Sequence, residues 1–439
     1  MFERRDELAG TPAHETALAC LESGIEAARP QNVIREALAV ADGTLQVRDE
    51  AYNLADYDEL LVLGGGKAAA QVGAELETLL GDRINGGLVV TNDPLPLDRI
   101  EVVEGSHPVP DEAGREGASE VLERAEAADE STLVLAVLTG GGSALLPAPA
   151  GGLGLDDLQA VTDELLRSGA DIGELNAVRK HCSAIKGGGL ARAATPATVV
   201  GLLFSDVIGD DYSVIASGPT APDESTYGDA LSVLERYGID ARTIHEHVER
   251  GTDGKVPETP GPDDPLFECV SNHVLANAHT ALDAASEVAC ERGYTPLVLS
   301  SRVRGEARES ALTHLAVAEE IRETGQPVEA PAVVLSGGET TVTVEGDGRG
   351  GPNQEFVLAA GIELDHEEIV VAAVDTDGKD GAADAAGGLV DAGTVEDADA
   401  ARTALADNDA FPFLADRDAL LETGPTGTNV NDLRVLVVE

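Results

Sequence analysis

Lysine is nearly missing from this chain. Five occur in 439 residues (Lys67, Lys180, Lys186, Lys255 and Lys379), and arginine fills every other basic position. Four of the five lie in or beside glycine-rich stretches, and only Lys255 falls in a stretch that reads as linker. A guanidinium does not replace a compact ammonium without changing the geometry, so the lysines that remain point to chemistry; GC-rich codon usage is the alternative source of the scarcity. Positive charge is scarce in general: 81 acidic residues face 29 basic ones, for a net charge of −52. Such a balance repels nucleic acid and anionic membranes, which excludes both as partners. The acids form no long block. Spread over helices and loops, they suit a solvated surface at high salt, where screening shortens to a few Å. The expectation is a cytoplasmic protein of a salt-accumulating organism.

Long apolar runs are also missing. No stretch approaches the ~20 residues of a membrane span, and the N-terminus, Met-Phe-Glu-Arg-Arg-Asp-Glu, lacks the apolar core of a signal peptide. The four cysteines (Cys20, Cys182, Cys269, Cys290) have neither metal nor redox spacing, so they read as reduced, partly buried thiols. The apolar fraction, 43%, is that of a globular protein, and the length allows two or three domains.

What is present centres on residues 176–226. Cations come first (Arg179, Lys180, Lys186), beside the three glycines 187–189; an apolar strand (197–204) follows, with Asp206 just past its end. In open α/β sheets ligands bind outside the carboxyl ends of strands, and glycine lets backbone N–H groups approach an anion. Cations, bare backbone and a carboxylate in one place suit a phosphorylated or carboxylated substrate.

The same arrangement recurs along the chain. Helices are expected over 14–39, broken at Pro30. A strand at 59–63 runs into Gly64-Gly65-Gly66-Lys67 and an alanine-rich helix, a plausible anion cradle. The sequence there is not a P-loop, and it fails the dinucleotide fingerprint at its third glycine. A strand at 132–138 ends in a second cradle, Thr139-Gly140-Gly141-Gly142-Ser143. Each of these glycine runs could instead serve only to turn the chain. His107, in the stiff loop Ser106-His107-Pro108, is a ligand or base, or else a structural hydrogen-bonder.

Periodicity fades over 239–268, which places a boundary between domains 1–255 and 256–439. Beyond it, strands are expected at 296–300, 332–335, 341–345, 369–374 and 433–438, with helices near 275–290 and 305–323. Asp375, Asp377 and Asp380 are spaced for a carboxylate cluster able to hold Mg²⁺, although nearby aspartates are common in so acidic a chain. The missing downstream glutamate argues against an EF-hand. Several anion cradles with a possible Mg²⁺ site suggest phosphoryl transfer, which needs charge neutralisation more than covalent catalysis. No Gly-x-Ser-x-Gly elbow supports a serine hydrolase.

These motifs resemble those of the class II glycerate kinases. The likeness is carried by Gly-Gly-Gly-Lys-Ala (64–68), Ser-His-Pro-Val-Pro-Asp (106–111), Thr-Gly-Gly-Gly-Ser-Ala (139–144), Asn-x-Val-Arg-Lys-His-x-Ser-x-Ile-Lys-Gly-Gly (176–188) and Ser-Asp-Val-Ile-Gly-Asp (205–210). Ile-Ala-Ser-Gly-Pro-Thr (215–220), Gly-Gly-Pro-Asn-Gln-Glu (350–355), Asp-Thr-Asp-Gly-x-Asp-Gly (375–381) and Thr-Gly-Thr-Asn-Val-Asn-Asp (426–432) complete a collinear set over nearly the whole chain, including the C-terminal MOFRL domain.

The resemblance implies ATP-dependent, Mg²⁺-assisted phosphorylation of D-glycerate, usually to 2-phosphoglycerate. It implies two Rossmann-like α/β domains with mostly parallel sheets and an active-site cleft between them. Lys67 would then neutralise the transferred phosphate or orient substrate, and Asp206 would meet the reacting hydroxyl. A cleft arginine would come from the C-terminal glycine loop; many members place it where this chain has Pro352, so Arg349 is the nearest substitute. Substrate and phosphate would be bound by Gly65, Gly66, His107, Gly141, Gly142, Ser143, Arg179, Lys186, Asn353 and Glu355. Asp375 and Asp377 would hold the metal. A nicotinamide-dependent hydroxypyruvate reductase is the rival reading, and a monomer or homodimer is expected.

Overall fold

The computed structural model describes residues 1–439, which form two compact units, Val33–Leu275 and a second made of Met1–Asn32 together with Ala276–Glu439. The first begins with a small antiparallel meander, β1 (Leu38–Ala41), β2 (Thr44–Val47) and β3 (Glu50–Asn53). Its main sheet has β4 (Glu59–Gly65), β5 (Gly86–Thr91), β6 (Glu101–Glu104), β7 (Thr132–Leu138), β8 (Thr198–Phe204) and β9 (Val270–Ala276). They lie in the order β6-β5-β4-β7-β8-β9. All four pairs from β6 to β8 are parallel. Every residue of β7 is buried, as a continuous apolar run demands when both faces of a parallel sheet are covered.

The order has a consequence for binding. From β4 the chain steps one way to β5 and β6, then returns to lay β7 on the other side of β4. Loops leaving β4 and β7 therefore diverge and open a crevice at their carboxyl ends. The register keeps those ends level: Gly65 lies beside Leu138, and Leu138 beside Leu203.

A helical layer completes this unit. Helices Leu155–Ser168, Ile172–His181, Tyr227–Tyr237 and Arg242–Thr252 enclose Val161, Leu165, Val178, Leu234 and Val248. The last falls where the sequence shows little periodicity. The helix before it, Tyr227–Tyr237, opens on a local signal: Thr226 Oγ1 accepts from the Asp229 backbone N–H while the Asp229 carboxylate accepts from that of Thr226. The stretch taken for a linker is tied down too: buried Asp223 pairs with Lys180 Nζ at 3.1 Å and accepts from Thr259 Oγ1 at 3.0 Å.

The compact units divide elsewhere than the limits expected at 255/256. The first unit continues to Leu275, and residues 1–32 belong with the C-terminal portion. Helix Pro12–Ala27 packs so closely there that a Cβ on Gly24 would lie 2.5 Å from Leu433 Cδ2 and 2.9 Å from the Ala281 carbonyl oxygen. Thr428 Oγ1 donates to the Ala28 carbonyl at 2.6 Å. Such distant pairings leave no trace in local periodicity.

The second unit is built on β10 (Thr295–Val303), β11 (Ala332–Gly338), β12 (Ile369–Asp375), β13 (Gly387–Val390), β14 (Leu420–Leu421) and β15 (Asp432–Val438), ordered β10-β11-β15-β12-β13-β14. Only β10–β11 is parallel, because the terminal strand β15 inserts antiparallel between β11 and β12. Parallel pairing thus dominates the first sheet, and the second is mixed. The strand expected at 341–345 is absent. Thr341 makes one isolated bridge to Glu306, and Asn408 Oδ1 takes the backbone N–H groups of Glu345 and Gly346. Alternating Thr and Val are strand-prone but form no ladder without a neighbouring edge. The cysteines are all free thiols, with Cys20 and Cys182 buried. No helix is long and apolar enough to cross a membrane.

Candidate active site

The turns after β4 and β7 lock together at the crevice. Lys67 N–H donates to the Gly140 carbonyl at 2.8 Å, Ala68 N–H to Thr139 Oγ1 at 3.1 Å, and Thr91 Oγ1 to the Lys67 carbonyl at 3.0 Å. Two glycines are required by contact as well as by conformation. Gly66 sits at φ +139°, and a Cβ there would stand 2.2 Å from Thr139 Oγ1. Gly141 sits at φ +77°, where a Cβ would come within 3.0 Å of both Lys67 Cγ and His107 Cδ2. The structure thus brings Lys67, His107 and Gly141 to one point, from three loops 30 or more residues apart in sequence.

Beside that point lies a cavity of about 750 Å³, lined by His107, Gly141, Ser143, Arg179 and Lys186 among others. Lys186 is 5% exposed; its Nζ donates to the Leu146 carbonyl at 2.9 Å. Burial first, and the nearby Arg179 guanidinium second, push its pKa down to about 7. Arg179 is itself pushed down to about 10 by burial, with no carboxylate to offset the cost. In a chain of net charge −52, a buried lysine near a partly buried arginine, with no acid acting on either, marks a place prepared for an anion. The third cation of the stretch is different: Lys180 is spent on its pair with Asp223.

Ser143 is held from behind. Its Oγ lies 2.7 Å from Ser217 Oγ, which donates to Asn176 Oδ1 at 3.3 Å. Ala216 and Ser217 have φ of +50° and +63°, a left-handed conformation that costs non-glycine residues roughly 1–3 kcal/mol each. Gly142 permits the fit, because a Cβ on it would lie 2.8 Å from Ala216 Cβ. Sequence reasoning noted the 215–220 motif yet missed Ser217 and Asn176 as supports, since their link spans 41 positions. It also missed the cavity wall from helix Leu155–Ser168, whose Gln159 is anchored to the Pro110 carbonyl at 2.6 Å. Asp206 stands just beyond β8, in the row of strand ends that carries Lys67 and Ser143; the neighbouring Ser205 Oγ accepts from Val207 N–H at 3.2 Å and shapes that turn.

The expected residues of the second unit divide differently. Asn353 and Glu355 are 0% and 1% exposed and engaged within the fold. Asn353 Nδ2 donates to Asp432 Oδ1 at 2.6 Å, and Glu355 accepts from Arg308 at 2.6 Å and from Asn408 at 2.8 Å. In this structure both brace the loops around them. Asp380, grouped with the acids by spacing, is buried and takes the N–H groups of Asn353 and Gln354; burial pushes it up to about 7. Asp375, at the end of β12, and Asp377 remain partly exposed, and one oxygen of each accepts a backbone N–H of its own loop. Arg349 pairs with exposed Asp384 at 2.6 Å and lies 4.2 Å over the Phe411 ring.

A parallel sheet whose strand order reverses beside a cation-floored cavity defines an α/β protein built to take a small anionic metabolite. Comparison with known proteins narrows this. Residues 16–250 match the family described as a domain of unknown function, DUF4147, and residues 332–432 match the MOFRL family. A Pyrococcus horikoshii protein named glycerate 2-kinase is 38% identical over 97% of both chains. One from Thermotoga maritima, named D-glycerate 2-kinase, is 39% identical over 95% of this chain and 96% of its own. An Agrobacterium vitis chain carrying the provisional name hydroxypyruvate reductase is 42% identical over 86% and 87%. The crystal structure of a Thermotoga maritima glycerate kinase superposes with a TM-score of 0.84 at 37% identity, over 97% of this chain and 99% of that one. The chain belongs to the class II glycerate kinase family, with a MOFRL domain.

Proposed function

We propose that this protein is a glycerate 2-kinase, transferring the γ-phosphoryl group of ATP to D-glycerate in a salt-rich cytoplasm. The observation that carries the reading is the meeting of Lys67, His107 and Gly141 beside a cavity floored by Arg179 and Lys186. The residues present fit an anionic nucleotide and acid: the glycine turns leave backbone open where a Cβ would clash, and the buried cations lack acids. When bound, ATP would supply the phosphoryl group and Mg²⁺ would offset the charge of its phosphates.

This chain's own groups do the rest. Lys67 takes up charge that develops on the transferred phosphoryl group, a contribution of the size given by other preorganised electrostatic stabilisers. Asp206 accepts the proton of the attacking hydroxyl as the new O–P bond forms and the bond to the leaving diphosphate breaks. Arg179 and Lys186 hold anionic groups of substrate or nucleotide, and Ser143, braced by Ser217 and Asn176, offers a hydroxyl beside them. Asp375 and Asp377 are the carboxylates offered to Mg²⁺.

The test is ³¹P NMR of the protein with D-glycerate, ATP and Mg²⁺ in molar KCl. A 2-phosphoglycerate resonance should grow as ATP falls. A 3-phosphoglycerate resonance would keep the kinase and move the acceptor hydroxyl. An unchanged spectrum from folded protein would overturn the reading. The name of the Agrobacterium relative favours one rival, which NADH oxidation with hydroxypyruvate in the absence of ATP would reveal.

A further inference from the structure

The cavity beside Gly141 is larger and greasier than a three-carbon acid requires. At about 750 Å³ it falls among pockets that hold ligands of nucleotide size. Its walls include Val109, Pro110, Pro147, Leu158, Val161 and Leu166, and Arg179 and Lys186, close enough for one to act on the other, also line it. Val109 and Leu166 are 59% and 58% exposed, among the few large apolar residues left so open in this chain. A hydroxy acid that is polar at every carbon would leave those walls wet and gain nothing from them. A ligand with a flat apolar ring at one end and several negative charges at the other would use both regions.

We propose that this cavity, wholly within the Val33–Leu275 unit, is the nucleoside triphosphate site, with the base between helix Leu155–Ser168 and the 108–110 loop and the phosphates toward Arg179 and Lys186. The proposal rests on the kinase reading and assigns the nucleotide to one unit. Base contacts come from Val109, Leu158 and Leu166, which carry no hydrogen-bond code, so discrimination among purine bases should be weak. The exposed carboxylates of Asp156 and Asp163 also line the cavity and suit ribose hydroxyls as acceptors. The side of the cavity at Gly141 adjoins Lys67, so a triphosphate lying along Arg179 and Lys186 would end where phosphoryl transfer is proposed.

The test has two parts. Photolabelling the full chain with 8-azido-ATP in high salt, followed by peptide mapping, should place the label within residues 107–110 or 155–167 and be blocked by ATP. Label confined to residues 276–439 would overturn the proposal. In steady-state kinetics, Leu158→Glu puts a negative charge into the apolar wall. It should raise the KM for ATP about tenfold or more while the KM for D-glycerate stays within about twofold. The reverse split would make the cavity the acid's site and overturn the proposal, with the kinase intact. Failure of the wild-type protein to phosphorylate glycerate would sink the kinase reading instead, and the photolabel alone would then decide where nucleotide sits.

Discussion

The two units part ways over buried charge at one place. In the second, the buried charged groups are held by opposite charges or by several donors. Arg434, 0% exposed, pairs with Asp432, which also takes the Asn353 amide and the Thr340 N–H; Glu355 is held by Arg308 and Asn408. In the first, Lys180 is likewise paired with Asp223, but buried Lys186 and partly buried Arg179 lie near each other with no acid acting on either. A paired buried charge is neutral in the ledger of stability until one partner is removed, whereas an unpaired one is a standing cost. That cost persists where a ligand repays it. Burial alone does not separate structural from functional charge; the partner does. Lys180 and Lys186, six positions apart in one motif, fall on opposite sides of that division.

The comparison can be broken by mutation. Asp432→Ala should cost the most, about 3–5 kcal/mol of unfolding free energy, because Arg434 is then buried without its counter-ion. Denaturant unfolding in high salt measures it, and a loss below about 1 kcal/mol would show that Arg434 is held some other way. Lys67→Met should lower kcat by about 10²–10³-fold, the usual loss for one transition-state donor, with the thermal midpoint unchanged. Near-normal turnover would remove Lys67 from the mechanism.

Lys186→Met should do the reverse of Asp432→Ala. Removing a desolvated cation repelled by Arg179 leaves stability equal or higher, while the KM for the anionic ligand bound there rises about tenfold. Marked destabilisation would place Lys186 among the structural charges.

The pH dependence sharpens the same point with a smaller effect. Lys186 titrates near 7 when folded, against an ordinary 10.5, so between those values the unfolded chain holds a proton that the folded chain lacks. Stability should therefore rise with pH over that window, while anion affinity falls as pH passes 7. Facing Lys186 are Arg179, with His107, Asp156 and Asp163 around the same cavity. Lys186→Arg, always charged, should flatten the affinity profile; an unchanged slope would remove Lys186 from the pH dependence.

Much of the first unit was legible in the sequence. Its buried strands are continuous apolar runs, and each glycine turn follows a strand that would otherwise continue. Two expected residues illustrate the limit. Lys67 and Asn353 both adjoin glycines in matched motifs, and spacing could not tell that one lines a crevice and the other ties Asp380 to Asp432. The strand expected at 341–345 failed for a related reason, since propensity is local and a strand needs an edge to pair with.

Composition alone settled the charged, lysine-poor surface, and motif order alone settled the family. Those properties reside in residue identity and sequence spacing, which survive without a fold. Only the tertiary structure decided that residues 1–32 complete the second unit, that β15 inserts antiparallel in its sheet, and that Lys180 is paired while Lys186 is not. Each depends on contacts between residues tens to hundreds of positions apart, whose free energy comes from burial and pairing that no local pattern encodes.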